Sequence, residues 1–214
     1  MKLETKRLVY AFIFPCIFVL ILWLVFFLEK GMAADWHHWG IYPRRLVGLK
    51  GVLTEPFIHS GVKHLFSNTL PLIILGWCLF YFYKGLSCVV FPVIWILSGM
   101  ITWCIGRESW HIGASGLIYA LSFFLFFSGI FRKYVPLLAV SLLVAFLYGS
   151  TLWNMLPIAV IIDPSVSWEG HLAGSVSGLV AAVIFRKEGP QKPIEMEDEE
   201  DDTHENTDLI DDAE

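Results

Sequence analysis

The chain has 214 residues, of which 56% are hydrophobic and 16% charged, with a mean hydropathy of +0.63. A soluble globular domain carries about 25% charged residues, so this balance excludes one and marks a membrane protein. The formal net charge of −5 is uneven: residues 189–214 hold twelve Asp and Glu against one Lys, leaving 14 basic and 8 acidic residues before them.

Splitting the chain at its charged residues leaves six apolar segments, which predict helices at about residues 8–28, 64–83, 86–106, 113–131, 135–157 and 169–186. A bilayer core of about 30 Å takes roughly 17 to 25 helical residues; the last run, Gly170 to Phe185, is slightly short. The expected fold class is an all-α membrane protein: a six-transmembrane-helix bundle over 1–188, followed by a disordered acidic tail over 189–214. The tail has too little apolar surface to offset the entropy of ordering.

Lys2, Lys6 and Arg7 precede the first helix, in the manner of a signal peptide. Its apolar run exceeds the roughly 7 to 15 residues of such a segment, so it reads as uncleaved. The following loop, Glu29 to Lys63, interleaves Lys30, Arg44, Arg45 and Lys50 with Trp36, Trp39, Tyr42 and Phe57, a pattern suited to the headgroup layer. The fifth segment, Tyr134 to Ile162, is too long for one span, and Pro157, Asp163 and Pro164 predict that its end leaves the membrane as a loop. With the N-terminus inside, Lys84, Arg132, Lys133, Arg186 and Lys187 also fall inside, and Arg107 is the only basic residue of the two short outer loops. The positive-inside rule then puts both termini in the cytoplasm. Cys16, Cys78, Cys88 and Cys104 form no CxxC pair and read as buried free thiols.

Ionisable residues inside spans are costly and therefore informative. His64 stands at the outer edge of the second helix and His171 at the outer end of the sixth, while Asn68 follows His64 by four residues on the same helical face. The second, fourth and sixth helices run parallel, with inner ends at Lys84, Arg132 and Arg186. At about 1.5 Å per residue, Asn68 lies roughly 24 Å above its marker, Ser115 roughly 25 Å and His171 roughly 22 Å. His64 comes out higher, at about 30 Å, within reach through helix tilt.

A serine and a histidine at one depth point to nucleophilic catalysis, with His171 as general base for Ser115. The developing oxyanion would find donors in the Asn68 amide, the His64 ring N–H and the Ser115 backbone N–H. No acidic residue shares that depth, so a Ser-His dyad fits better than a triad; Tyr119, four residues after Ser115, is placed to hold the imidazole by stacking. Gly170, Gly174 and Gly178 recur every four residues, and Gly113 and Gly116 flank Ser115, so the two backbones can approach closely.

These residues resemble the rhomboid family of intramembrane serine proteases. "HLFSN", His64 to Asn68, is similar to the family's HxxxN, with His59 upstream; "GASG", Gly113 to Gly116, is similar to GxSG, with Tyr119 as its accompanying tyrosine; "GHLAGSVSG", Gly170 to Gly178, is similar to GHxxGxxxG. The resemblance implies a rhomboid-like bundle with Ser115 as nucleophile, His171 as base and His64 with Asn68 at the oxyanion hole. It also implies transmembrane protein substrates in a lipid bilayer, with no metal, no cofactor and no nucleic acid partner. The family's Trp-Arg pair is absent upstream of the second helix, where the chain reads "GLKGVL"; "YPRR", Tyr42 to Arg45, is the candidate for its anchoring role. The expected localisation is the plasma membrane, with the site opening to the outer side. The runner-up function is an inactive rhomboid-like protein that binds membrane-protein clients. A transporter is disfavoured, because the inner halves of the second, fourth and sixth helices carry no ionisable residue.

Overall fold

The computed structural model describes residues 3–158 and 166–193. Within them the chain is helical: α1 (Leu3–Gly31), α2 (Leu46–Leu49), α3 (Gly51–Thr54), α4 (Val62–Tyr83), α5 (Ser87–Ile105), α6 (Ser115–Arg132), α7 (Val135–Tyr148) and α8 (Trp168–Ile184), with 3-10 turns at His37–Trp39, Glu55–Phe57, Lys84–Leu86 and Gly149–Met155. The described residues contain no strand, only an isolated bridge between Ile41 and His111.

Glu4–Gly31, Val62–Ile105 and Ser115–Arg132 are long and apolar enough to cross a membrane by length and composition. Val62–Ile105 comprises α4 and α5, and Lys84 divides them, because a residue at φ 41° and ψ −124° cannot continue an α-helix. Helix α7, with 14 residues, and α8, with 17, are shorter. Helix α1 starts earlier than the charge pattern predicts. Its Arg7 guanidinium lies 4.6 Å from the centre of the Tyr81 ring and donates to the Tyr81 carbonyl at 2.9 Å, so the charged residue rides on the bundle instead of ending the helix. Helix α7 stops at Tyr148, and the chain tightens into a 3-10 turn through Met155, short of the expected helix end at residue 157. The loop expected at Asp163 and Pro164 lies outside the described residues, as does the acidic tail from residue 194 on.

Helix α6 is the central element and packs most extensively against α8, with further contacts to α7, α4 and α5. Its Leu117, Ala120, Leu121, Phe124 and Leu125 are buried and join Leu65, Leu75 and Leu79 of α4, Ile94 of α5 and Ala181 and Ala182 of α8 in one apolar core. The outer faces are apolar too, as at Leu20, Phe27, Leu70, Leu142 and Phe146. A helix apolar all round suits a lipid surrounding. Of the four free cysteines only Cys78 is buried; Cys88 and Cys104 are exposed, which corrects the expectation of buried thiols. They sit on outward faces, where a small apolar side chain meets the surroundings as readily as a leucine does.

The loop after α1 is tied to the bundle at several points. Arg44 donates to the carbonyls of Gly106 (2.7 Å) and Cys104 (3.3 Å), and the Trp103 indole donates to the Arg45 carbonyl at 3.0 Å. "YPRR" thus clamps the C-terminal end of α5, where free carbonyls favour a cation. Ile41 and His111 exchange backbone hydrogen bonds of 2.9 and 2.8 Å, and Phe57 packs on Phe18 and Trp95. Lys50 lies over the Trp39 ring at 4.2 Å, while Leu46, Val47 and Leu53 are exposed, in keeping with the aromatic and basic interleaving read from the sequence.

Candidate active site

Ser115 is the first residue of α6, preceded by Gly113 at φ +104°. That conformation is open to glycine and strained for other residues. It turns the chain into the helix while the Gly113 N–H donates to the Glu55 carbonyl at 3.0 Å. A side chain here would also collide with the His64 ring, since a Cβ at residue 113 would stand 2.6 Å from its Cε1 and Nε2. The first turn of α6 leaves backbone N–H groups without intrahelical acceptors, at the positive end of the helix dipole.

His171 lies in the first turn of α8. Ser167 caps that helix by accepting from the Gly170 N–H at 3.2 Å. The same Ser167 Oγ is 2.6 Å from His111 Nδ1, and His111 Nε2 is 3.1 Å from the Arg107 carbonyl. A carbonyl only accepts, so Nε2 carries the hydrogen, and Nδ1 accepts from the Ser167 hydroxyl. Burial, the largest influence, pushes the His111 pKa down, which keeps the ring neutral for this arrangement. Arg107 and Glu169, with 3.3 Å between Nη1 and Oε2, join the same loop to the start of α8. The approaches to α6 and α8 are thereby held as one unit.

The His171 Nε2 atom is 3.0 Å from Ser115 Oγ, across 56 residues of sequence. Its Nδ1 is 2.9 Å from the Asn154 carbonyl oxygen. That carbonyl fixes the hydrogen on Nδ1, so Nε2 presents a lone pair to the serine hydroxyl. The Tyr119 ring stacks on the imidazole with centroids 4.4 Å apart and planes 12° apart. An imidazole held this way can take the proton of a hydroxyl that attacks a carbonyl.

Asn68 and His64 face the Gly113 turn, where a Cβ at residue 113 would lie 3.7 Å from Asn68 Nδ2. Asn68 Nδ2 donates to His59 Nε2 at 3.0 Å, and His64 Nδ1 lies 3.2 Å from Ser60 Oγ. The glycines of α6 and α8 lie in the contact between the two helices. A Cβ at residue 174 would fall on the Gly116 carbonyl oxygen, and one at residue 178 on the Ala120 carbonyl oxygen. Gly116 faces Ser98 and the Gly170 carbonyl, and Gly170 faces the Ser167 side chain. Among the described residues Asn154, His111, Ser167, Glu169 and Arg107 also shape the site, although no motif announced them.

Two buried groups of the preceding loop give the site a pH signature. Burial pushes the Glu55 carboxyl well above the usual carboxylate range. Burial, and then the neighbouring His64, pushes His59 down to about 3. Between about 3 and 6.5 the unfolded chain therefore holds the His59 proton more readily, and stability falls as the pH drops through that window. Glu55 acts oppositely: its contribution is complete below 4.5 and lost as the pH rises through its folded value. Glu55→Gln is expected to remove the alkaline-side loss, so that the thermal midpoint in detergent at about pH 8, taken relative to that at about pH 5, is higher than in the wild type. Identical pH profiles for the two proteins would assign the loss to another group.

A family model described as the Rhomboid domain matches residues 48–188. An uncharacterized protein of Mycobacterium tuberculosis is 38% identical over 176 residues, which cover 78% of this chain and 72% of that one. An uncharacterized protein of Mycobacterium leprae is 33% identical over 177 residues, 78% of this chain and 68% of its own. Rhomboid-related protein 2 of Mus musculus is 32% identical over 131 residues, 57% of this chain and 43% of the mouse protein.

Proposed function

Because the chain belongs to the rhomboid family, we propose that it is an intramembrane serine endopeptidase, cleaving transmembrane proteins in or near their membrane segments with a Ser115–His171 dyad. The observation that carries this reading is the 3.0 Å approach of Ser115 Oγ to an imidazole whose other nitrogen is held by a backbone carbonyl. In this reading six helices (α1, α4, α5, α6, α7 and α8) cross the plasma membrane. Residues 1–188 form the membrane domain and 189–214 a cytoplasmic tail. Both termini face the cytoplasm, and the site opens to the outer side.

The Ser115 hydroxyl attacks the scissile carbonyl while His171 Nε2 takes its proton, giving a tetrahedral oxyanion and an imidazolium. Asn154 O keeps its hydrogen bond from Nδ1–H throughout, and Tyr119 keeps the ring plane. The oxyanion is met by the Ser115 backbone N–H, the Asn68 amide and the His64 ring, where one such donor is worth about 3 kcal/mol of barrier. Collapse expels the amine, which receives the proton from His171, and leaves an ester on Ser115. Water then attacks that ester, giving its proton to His171, and the Ser115 oxygen leaves and recovers it. His59 is a positioning residue in this scheme, because its neutral Nε2 accepts from Asn68 and sets the direction of the remaining amide hydrogen.

The test is covalent labelling of the detergent-purified protein by a fluorophosphonate, which phosphonylates an activated serine and releases fluoride. Wild type is expected to label, and Ser115→Ala and His171→Ala are expected not to. Equal labelling of all three would overturn the assignment and favour a client-binding, inactive rhomboid-like protein.

A further inference from the structure

At the C-terminal end of α1, far in sequence from the Ser115 site, Glu29 is only 1% exposed. Its Oε1 accepts the Trp36 backbone N–H at 3.0 Å, but its Oε2 is buried with no hydrogen-bond partner. A buried carboxylate oxygen without a donor is costly. The position makes it worse, because the free carbonyls of a helix C-terminus are themselves negative. Lys30 does not answer the charge, since its ammonium lies over the Phe26 ring, 5.5 Å from the centroid.

The chain then turns back and brings two further ligand types to the same point. Asp35 Oδ1 accepts the His37 backbone N–H at 3.0 Å and lies 2.6 Å from His37 Nδ1. One ligand atom each from Glu29, Asp35 and His37 lie within 4.8 Å of one another. We propose that Glu29, Asp35 and His37 form a binding site for one divalent transition-metal ion of the Zn2+ or Mn2+ class, fixing the start of the loop to the end of α1.

The donor set selects this class. One imidazole nitrogen and two carboxylate oxygens suit borderline ions, whereas Ca2+ calls for six to eight oxygens and Cu(I) for sulfur. Metal–ligand bonds of about 2.0 to 2.2 Å require the donors to settle around one point, with Asp35 Oδ1 and His37 Nδ1 parting slightly from their 2.6 Å contact. That movement falls on Asp35 and His37, whose side chains are 81% and 43% exposed, while Glu29 is already in place. Binding replaces the hydrogen between His37 Nδ1 and Asp35 Oδ1 by the cation, and the neutral ring then carries its hydrogen on Nε2. The open side leaves room for water to complete the coordination. The bound ion would pin residues 32–37, which lead into the Ile41–His111 pairing beside the Ser115 turn.

The experiment is calorimetric titration of Zn2+ into the chelator-stripped, full-length protein in detergent. Wild type is expected to show a saturable site that Glu29→Gln and His37→Ala each weaken at least tenfold, with His38→Ala unchanged. The thermal midpoint is expected to rise with Zn2+ in wild type and His38→Ala alone. Because Glu29 is buried, Asp35→Asn and His37→Ala, both at exposed positions, serve as variants that leave the packing intact. The tail carboxylates between residues 195 and 214 give the same background in every protein. Absence of saturable binding, or equal affinity in wild type and all variants, would overturn the proposal.

Discussion

Removing either member of the Ser115–His171 pair is expected to abolish cleavage of a transmembrane reporter peptide in proteoliposomes, and removing both is expected to cost no more than removing one. The hydroxyl and the imidazole act as one unit through the 3.0 Å contact. Without His171 the serine keeps its proton and is a poor nucleophile; without Ser115 the imidazole has nothing to activate. Residues that work this way are strongly non-additive, and each single loss is on the order of 10⁴-fold or more in kcat. The readout is the turnover of Ser115→Ala, His171→Ala and the double variant at saturating reporter. A double variant slower than both singles by the product of their losses would mean that the two side chains contribute independently, against a dyad.

Gly174→Ala carries the second large effect. The added methyl would fall on the Gly116 carbonyl oxygen, a backbone atom that cannot swing aside as a side-chain tip can. Helices α6 and α8 must then separate, and Ser115 and His171 sit on the two sides of that seam. Overpacking of this kind costs about 1–3 kcal/mol, and a displacement of about 1 Å at a reacting pair costs about 10²-fold in rate. The variant is therefore expected to lower the thermal midpoint and to lose activity beyond what the fraction unfolded explains. Activity measured well below the shifted midpoint separates the two. Full activity there would show that the seam tolerates spreading without moving the pair.

The parts of this arrangement legible in the sequence are those that lipid and helix geometry force into a pattern. The glycines of α8 recur every four residues because one face must meet α6. Ser115 and His171 stand out as polar groups at one depth in apolar helices, and the structure brings them together. Counting depth from the inner charges places Asn68 at their level, yet depth says nothing of the hydrogen bond by which Asn68 Nδ2 meets His59. Splitting the chain at charged residues shortened α1, because a charge ends an apolar run without ending a helix when its stem lies on a neighbour, as Arg7 does on Tyr81. The His111–Ser167 contact joins residues 56 apart. The Asn154 contact had no signal at all, because its oxygen belongs to the backbone.

A side-chain carboxylate holding the imidazole would be lost to a single codon change and exposed by any alanine scan. A main-chain oxygen is supplied by every residue type at position 154, so that substitutions there which leave the turn intact keep it; proline, which removes an N–H and restricts the residue before it, is the exception. The grip on His171 is thus encoded in the path of the 3-10 turn Gly149–Met155 and not in the identity of any one residue in it. Side-chain substitutions that keep the turn will pass over it, whereas an insertion or deletion between Tyr148 and Met155, which shifts the path, will release the ring.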